Sequence, residues 1–327
     1  LCGAAGRAGR ADDRQAVTDG TGEASRPKAS FVVITYNHVD LIGMCLDGLL
    51  AQEVDFPVEM IVHDDASTDG TADVLREYDR RHPGRFRLLL QETNGGSAAA
   101  AMARALTAAE GEYVLFCDGD DYWDDPRKAS VQVEFLDSRP DLVFCFHDTH
   151  RYSLDGRQVN AGDAADHYRD WTSAEIAATA WMFVPQQALA FRNVLKPYPP
   201  EMWLAYLSDV FLTRVLGHAG DGAYVGDRVR PTRAHLHPTS DYAAASRERQ
   251  DVMTRVTALL IVSWLLRIGR EDEAGVLTRE FLIPHLTGRV GPPPPRFTWR
   301  HPGSAILVVR HRRRWGRLNR QRTRVAT

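Results

Sequence analysis

Three short apolar runs, each ending in a cluster of polar residues and each followed by a segment with helical spacing, constrain this chain most. Residues 31–35 run into Tyr36, Asn37 and His38; residues 58–62 into His63, Asp64 and Asp65; residues 113–117 into Asp118, Gly119, Asp120 and Asp121. Between them, Leu41, Met44, Cys45, Leu46, Leu49 and Leu50 recur at helical intervals, and helices are predicted over 72–78 and the alanine-rich 97–109. With further strands at 85–90 and 142–146 and a helix over 127–136, strand and helix alternate as in a parallel sheet wrapped by helices. The regular order weakens over 148–170, and mixed pieces follow to about residue 225. Two amphipathic helices broken near Gly269 are expected over 243–286, followed by the stiff run Pro292 to Pro295. No internal repeat is present.

Length and composition fit this class. The chain has 327 residues, of which 44% are hydrophobic, enough for one large α/β domain with appendages. Of four cysteines, Cys45, Cys117 and Cys145 sit in apolar stretches and Cys2 stands apart, a pattern of neither a disulfide framework nor a zinc knuckle. No apolar run reaches the eighteen residues of a membrane span, and the first residues lack an apolar signal core. A soluble, cytoplasmic protein is the expectation. It is divided into a leader (1–28), an α/β domain (29–240), a helical extension (241–288) and a linker with a basic tail (289–327). The net charge of −3 conceals nine arginines and no acid from residue 300 onward. That tail also carries Ile306, Leu307, Val308, Val309 and Trp315, a composition suited to peripheral contact with an anionic membrane; nucleic acid is not an expected partner.

In an open parallel sheet, ligands bind beyond the carboxyl ends of the strands. The three polar clusters therefore share one crevice if their strands are neighbours. Acidic clusters crowded at one rim repel unless a cation or a donor-rich ligand lies between them. A carboxylate suits the imide N–H of uracil or thymine, a role open to Asp65. A carboxylate at a strand end suits a hard divalent cation on a diphosphate, a role open to Asp120, with Asp118 near the ribose or a metal-bound water. Neither a GxGxxG fingerprint after Thr35 nor a GxxxxGK[ST] loop is present, which argues against dinucleotide or ATP binding of the usual kinds. The bland alternative is that 67–70 is a turn and 118–121 an acidic surface loop.

The stretches "SFVVITYNH", "VHDDASTDGT", "EGEYVLFCDGDDYWDDPRK" and "FLDSRPDLVFCFH" together resemble family 2 glycosyltransferases of the GT-A fold, over about residues 29–240. The resemblance implies a Rossmann-like, mostly parallel sheet with flanking helices, a nucleotide-diphosphate sugar donor, a hydroxyl acceptor, Mn2+ or Mg2+, and inversion at the anomeric carbon. It implies Thr35, Tyr36, Asn37 and Asp65 at the nucleotide, Arg104 near the phosphates, and Asp118 and Asp120 at ribose and metal. "YLSDVFL" is similar to the segment whose aspartate serves as catalytic base, which assigns Asp209; Ser208 and Asp209 are also good helix caps. "RPTRAHLHP" resembles a segment that makes His235 a metal ligand, although Thr232 stands where tyrosine is usual. Two other readings stay open: a sugar nucleotidyltransferase, for which residues 31–50 lack the glycine-rich loop, and a non-catalytic sugar-nucleotide or glycan-binding module.

Overall fold

The computed structural model describes residues 26–153, 155–159, 168–179, 182, 184–235 and 245–287. The chain alternates as its pattern predicts: β1 (Ala29–Thr35), α1 (Ile42–Leu50), β2 (Val58–Asp64), α2 (Thr71–Arg81), β3 (Phe86–Leu90), α3 (Ala98–Ala108), β4 (Tyr113–Asp118), α4 (Lys128–Ser138) and β5 (Leu142–Phe146). Then come β6 (Thr149–Tyr152), β7 (Gln158–Val159), α5 (Ser173–Ala178), β8 (Leu189–Arg192), α6 (Ser208–Ala219), β9 (Asp221–Tyr224) and β10 (Thr232–His235). Three more helices follow, α7 (Arg247–Arg267), α8 (Glu271–Leu277) and, after a π-helical turn, α9 (Ile283–Leu286).

Seven strands form one sheet in the order β3-β2-β1-β4-β8-β5-β9. Neighbouring strands in it are parallel except β8, which is antiparallel to both β4 and β5. Every residue of β1 is buried, as expected for a strand covered on both faces. Phe31 and Val33 pack with α1, α2 and α4, whereas Val32 and Ile34 pack beneath α3 on the other face. The small side chains of α3 let it lie close to the sheet: Ala99, Ala101, Ala103 and Ala105 are buried, and Ser97 caps the helix by accepting from the Ala100 amide at 3.2 Å.

The helices α7 and α8 are not a separate body. Ala258, Ile261, Trp264, Leu265, Ala274 and Leu277 belong to the same apolar cluster as α3 and α6. The break between the two helices falls at Gly269, whose φ of 75° suits glycine at a helix end. Among the described residues, no helix is long and apolar enough to cross a membrane. The basic tail and the proline run lie outside the described residues.

Two features differ from the sequence pattern in ways that matter for the site. The strands β2 and β4 extend into their polar clusters, so Asp64 and Asp118 belong to the hydrogen-bonded ladder. The irregular stretch after β5 contains β6, which joins a second, three-stranded sheet in the order β10-β6-β7. Its residues Thr149 to Tyr152 are polar and lack alternation, so nothing local marks them as a strand; their pairing with β10 comes from far along the chain.

Candidate active site

The strand order turns back on itself at β1, which lies between β2 and β4, and the ends of these three strands form the rim. Thr35 is level with Asp64, and Ile34 with Asp118. The Asp65 amide donates to the Thr35 carbonyl at 3.0 Å and the Gly119 amide to the Ile34 carbonyl at 2.8 Å, so both loops leave the sheet from fixed points.

Most of the "HDDASTDGT" motif holds the rim together. Asp64 accepts from the Ser67 amide (3.1 Å) and hydroxyl (2.5 Å). Asn37 enters this lock from the β1 side: its amide donates to Ser67 Oγ and its Oδ1 accepts from the Thr68 amide, both at 2.8 Å. Its φ of 56° is in the left-handed region that asparagine tolerates. Asp69 accepts from the Thr71 and Val39 amides at 2.9 and 3.0 Å, and these bonds hold its carboxyl below the usual range despite the opposing effect of burial. Thr35 is buried with Oγ1 3.2 Å from His38 Nδ1, while Tyr36 is exposed.

Asp65 alone in that motif turns its carboxylate toward the next loop. It accepts from the Gly95 amide at 2.9 and 3.1 Å, and Arg104 Nη1 lies 3.8 Å away. Asp65 and Arg104, far apart in sequence, therefore form one charged corner beside a glycine whose added Cβ would stand 3.0 Å from Arg104 and 3.1 Å from Asp65.

The acidic loop after β4 is built from below and beside. Trp123 is buried, edge-on to Phe31 at 5.1 Å, with its indole N–H donating to the Gln187 carbonyl at 3.2 Å. Strand β10 clamps the loop from the side: Tyr122 and Arg233 exchange backbone hydrogen bonds of 3.0 Å, and the His235 amide donates to Asp121 Oδ1 at 2.7 Å. His235 Nδ1 lies 2.5 Å from the Asp120 carbonyl, and its ring stacks on Tyr122. Gly119 fits only because it lacks a side chain, since a Cβ would come within 2.6 Å of Thr35 Cβ and Oγ1. Gly119→Ala is therefore expected to lose about 1–3 kcal/mol of stability through overpacking, read as a lower melting temperature with weaker nucleotide binding.

Asp118 and Asp120 stand on either side of that glycine. Burial first, and then the charge of Asp120, raises the Asp118 carboxyl to about 7, while Gln186 Nε2 opposes the rise by donating to both its oxygens at 2.9 and 2.8 Å. Asp120 has His38 Nε2 at 4.0 Å. No group of three His, Cys, Asp or Glu side chains stands ready to cage a cation among the described residues. The donor set nevertheless suits Mg2+ or Mn2+ in the way a diphosphate site does, with one or two carboxylates from the protein and the remaining positions filled by phosphate oxygens and water. Two crowded carboxylates, one of them pushed toward protonation, are what such a cation would relieve.

Asp209 enters from α6. It lies in the first turn and not at the cap position, which Leu207 occupies without a side-chain capping bond, and its Oδ1 accepts from the Val210 amide at 2.7 Å. Burial raises its carboxyl to about 6, and it is near enough to Asp118 for its charge to contribute to that residue's shift. Other acids of this half are engaged elsewhere. Glu201 pairs with Arg267 at 2.7 and 2.8 Å, Asp148 accepts from the Tyr224 hydroxyl at 2.7 Å, and Asp170 accepts from the Tyr224 amide at 2.9 Å. His218 packs edge-on to Trp264 and pairs with Glu273 at 2.9 Å.

The fold thus gathers Thr35, Asn37, Asp65, Arg104, Asp118, Asp120 and His235 around one rim, with Asp209 approaching from α6. The sequence reading missed Gln186 on Asp118 and the structural use of Asp64, Ser67 and Asp69. The Asp64, Ser67 and Asp69 spacing carried a turn signal, whereas Gln186 carried none, because nothing local relates it to a residue 68 positions earlier.

Comparison with known proteins bears on the family and the fold. An uncharacterised protein of Mycobacterium tuberculosis is 47% identical over 127 residues, 39% of this chain and 36% of that protein, so the chain spans about a third of such a relative's length. By structure, TarS 1-349 of S. aureus in complex with UDP-GlcNAc is similar with a TM-score of 0.57 at 23% identity, covering 79% of this chain and 72% of that one. The mannosyltransferase PcManGT of Pyrobaculum calidifontis, in complex with GDP-Man and Mn2+, is similar with a TM-score of 0.53 at 19% identity, covering 89% and 83%. At these identities the two structures speak for the α/β fold. The model of glycosyl transferase family 2 matches residues 30–196, the stretch that builds β1 to β5, the acidic loop and β8, and the chain belongs to that family.

Proposed function

We propose that this chain is an inverting glycosyltransferase that moves a sugar from a nucleoside diphosphate donor onto a hydroxyl acceptor with the help of a divalent cation. The observation that carries the reading is the pair Asp118 and Asp120 at the end of β4, at the switch point of the sheet, with Asp209 of α6 near enough for its charge to reach Asp118. Family membership and the nucleotide-sugar complexes of TarS and PcManGT support the donor class.

In this reading Asp65 receives the base and Arg104 faces the phosphates, while Asn37 and Thr35 keep the loops that border the nucleotide in place. Asp120, with His235 beside it and Asp118 across Gly119, would hold the cation, which when bound would supply Lewis-acid stabilisation of the departing diphosphate. Asp209 accepts the acceptor hydroxyl's proton as that oxygen attacks the anomeric carbon; a carboxyl near 6 is mostly ionised at neutral pH and more basic than an ordinary one. UDP- and dTDP-sugars are the favoured donors because a carboxylate at position 65 matches an imide N–H.

A thermal-shift screen of UDP, dTDP and GDP with and without Mn2+ tests the donor class. Stabilisation by one nucleotide that depends on Mn2+ is expected, and no shift with any of them would remove the reading. Donor hydrolysis by the purified protein separates an enzyme from a sugar-nucleotide-binding module. The basic tail is proposed to aid contact with an anionic membrane where an acceptor is presented. Deletion after Pro295 is expected to weaken binding to anionic liposomes and leave nucleotide binding intact, and unchanged liposome binding would end that idea.

A further inference from the structure

Gln186 stands in the one-turn helix Gln186–Ala188 that leads into β8, and each neighbour of that turn is tied to a different part of the site. The Gln187 carbonyl accepts from the Trp123 indole at 3.2 Å and from Thr232 Oγ1 at 3.4 Å. The Ala188 carbonyl accepts from Gln132 Nε2 at 2.9 Å. Ahead of it, the Val184 amide donates to Thr213 Oγ1 at 3.2 Å, and that hydroxyl donates to the Asp209 carbonyl at 2.8 Å. The turn is therefore fixed to the acidic loop, to β10 and to α6 at once, and the Gln186 side chain has little freedom at its base.

The end of that side chain is used by halves. Nε2 donates to both oxygens of Asp118, an orientation that turns Oε1 away from that carboxyl group. Oε1 is buried and has no hydrogen-bond partner among the described residues. A buried amide oxygen left unpaired is costly and is an uncommon feature of a folded protein, so a rigidly held one beside Asp118 is a reason to look for a donor on a ligand. It is an acceptor only, which excludes phosphate and carboxylate and suits a hydroxyl, an N–H or a hard cation; with Nε2 committed to Asp118, a hydroxyl of the ligand is the donor the test addresses.

We propose that Gln186 reads a hydroxyl of the bound sugar nucleotide through Oε1 while positioning Asp118 through Nε2. This rests on the donor class proposed above. The hydroxyl belongs either to the ribose or to the transferred sugar, two sources of the same chemistry.

Calorimetry in Mn2+ with UDP, its 2′-deoxy and 3′-deoxy analogues and UDP-GlcNAc, on the wild type and Gln186→Met, separates them; GDP and GDP-Man, with the matching deoxy analogues of GDP, serve if UDP does not bind. If Oε1 takes a ribose hydroxyl, the variant binds UDP about tenfold more weakly and the gap closes with one deoxy analogue. If it takes a hydroxyl of the transferred sugar, the gap appears only with UDP-GlcNAc or GDP-Man. An equal gap for every ligand, or none for any, overturns the hydroxyl contact while leaving the donor class standing. Failure of the wild type to bind any of these nucleotides removes both. If Gln186→Met does not fold, Gln186→Asn, which keeps the amide but withdraws it by one methylene, is put through the same comparison.

Discussion

Replacing Asp209 by asparagine is expected to lower turnover by about 100-fold or more while nucleotide affinity holds, the usual contribution of a positioned base. Asparagine keeps the shape and the Oδ1 acceptor for the Val210 amide, so the start of α6 loses nothing it now has. What it loses is the ability to take a proton at neutral pH. The stability readout is equally decisive. The folded carboxyl titrates near 6, above its ordinary 3.8, so it contributes stability that is present below about 4 and lost as pH rises through 6. The Asn variant is free of that loss, and its melting temperature at pH 8 is expected to equal or exceed the wild type's. A side chain that only capped the helix would tolerate the change in turnover as well, because asparagine caps about as well as aspartate. Wild-type turnover should rise about tenfold per pH unit below 6 and level off above it, and this limb should vanish in the variant. Near-normal turnover in Asp209→Asn would remove it as the base.

Asp120→Asn is expected to lose about two orders of magnitude or more of turnover with the fold intact, since several kcal/mol of leaving-group stabilisation depend on holding the cation. An amide gives up the charge that a hard cation requires. The side chain is half-buried beside Gly119 with His38 Nε2 at 4.0 Å, whereas its neighbour Asp121 receives the His235 amide and is buried. Asp121→Ala is accordingly a folding control, expected to remove the acceptor of the His235 amide, disturb the attachment of β10 and lower the melting temperature. Calorimetry of Mn2+ binding in the presence of nucleotide distinguishes the two. Full activity in EDTA would overturn the cation's role altogether.

Much of the fold was legible because its signals are local. The apolar runs of β1, β2 and β4 and the 3.6-residue spacing of α1 and α3 need only their own neighbours to be recognised. The acidic loop was legible for the same reason: Asp118, Gly119, Asp120 and Asp121 follow a buried strand in an unbroken run. Strand β6 and the β10 clamp were not, because polar residues without alternation become strands only when a distant partner supplies the ladder. Asn37 and Arg104 were marked as nucleotide ligands from motif position, and the geometry adds work that position does not reveal: Asn37 Oδ1 is already taken by the Thr68 amide, and Arg104 faces Asp65.

The sequence by itself determined the alternation of strand and helix, and with it a parallel sheet whose polar strand ends share a rim, because periodicity and the chemistry of strand ends are properties of neighbouring residues. Only the tertiary structure decided how the distant pieces serve that rim: Gln186 on Asp118, β10 on the acidic loop, and Asp209 in the first turn of α6 and not at its cap. Those contacts join segments tens of residues apart, and no local pattern encodes them. They exist because burying the two faces of one sheet brings α6, β8 and β10 to the same end of it.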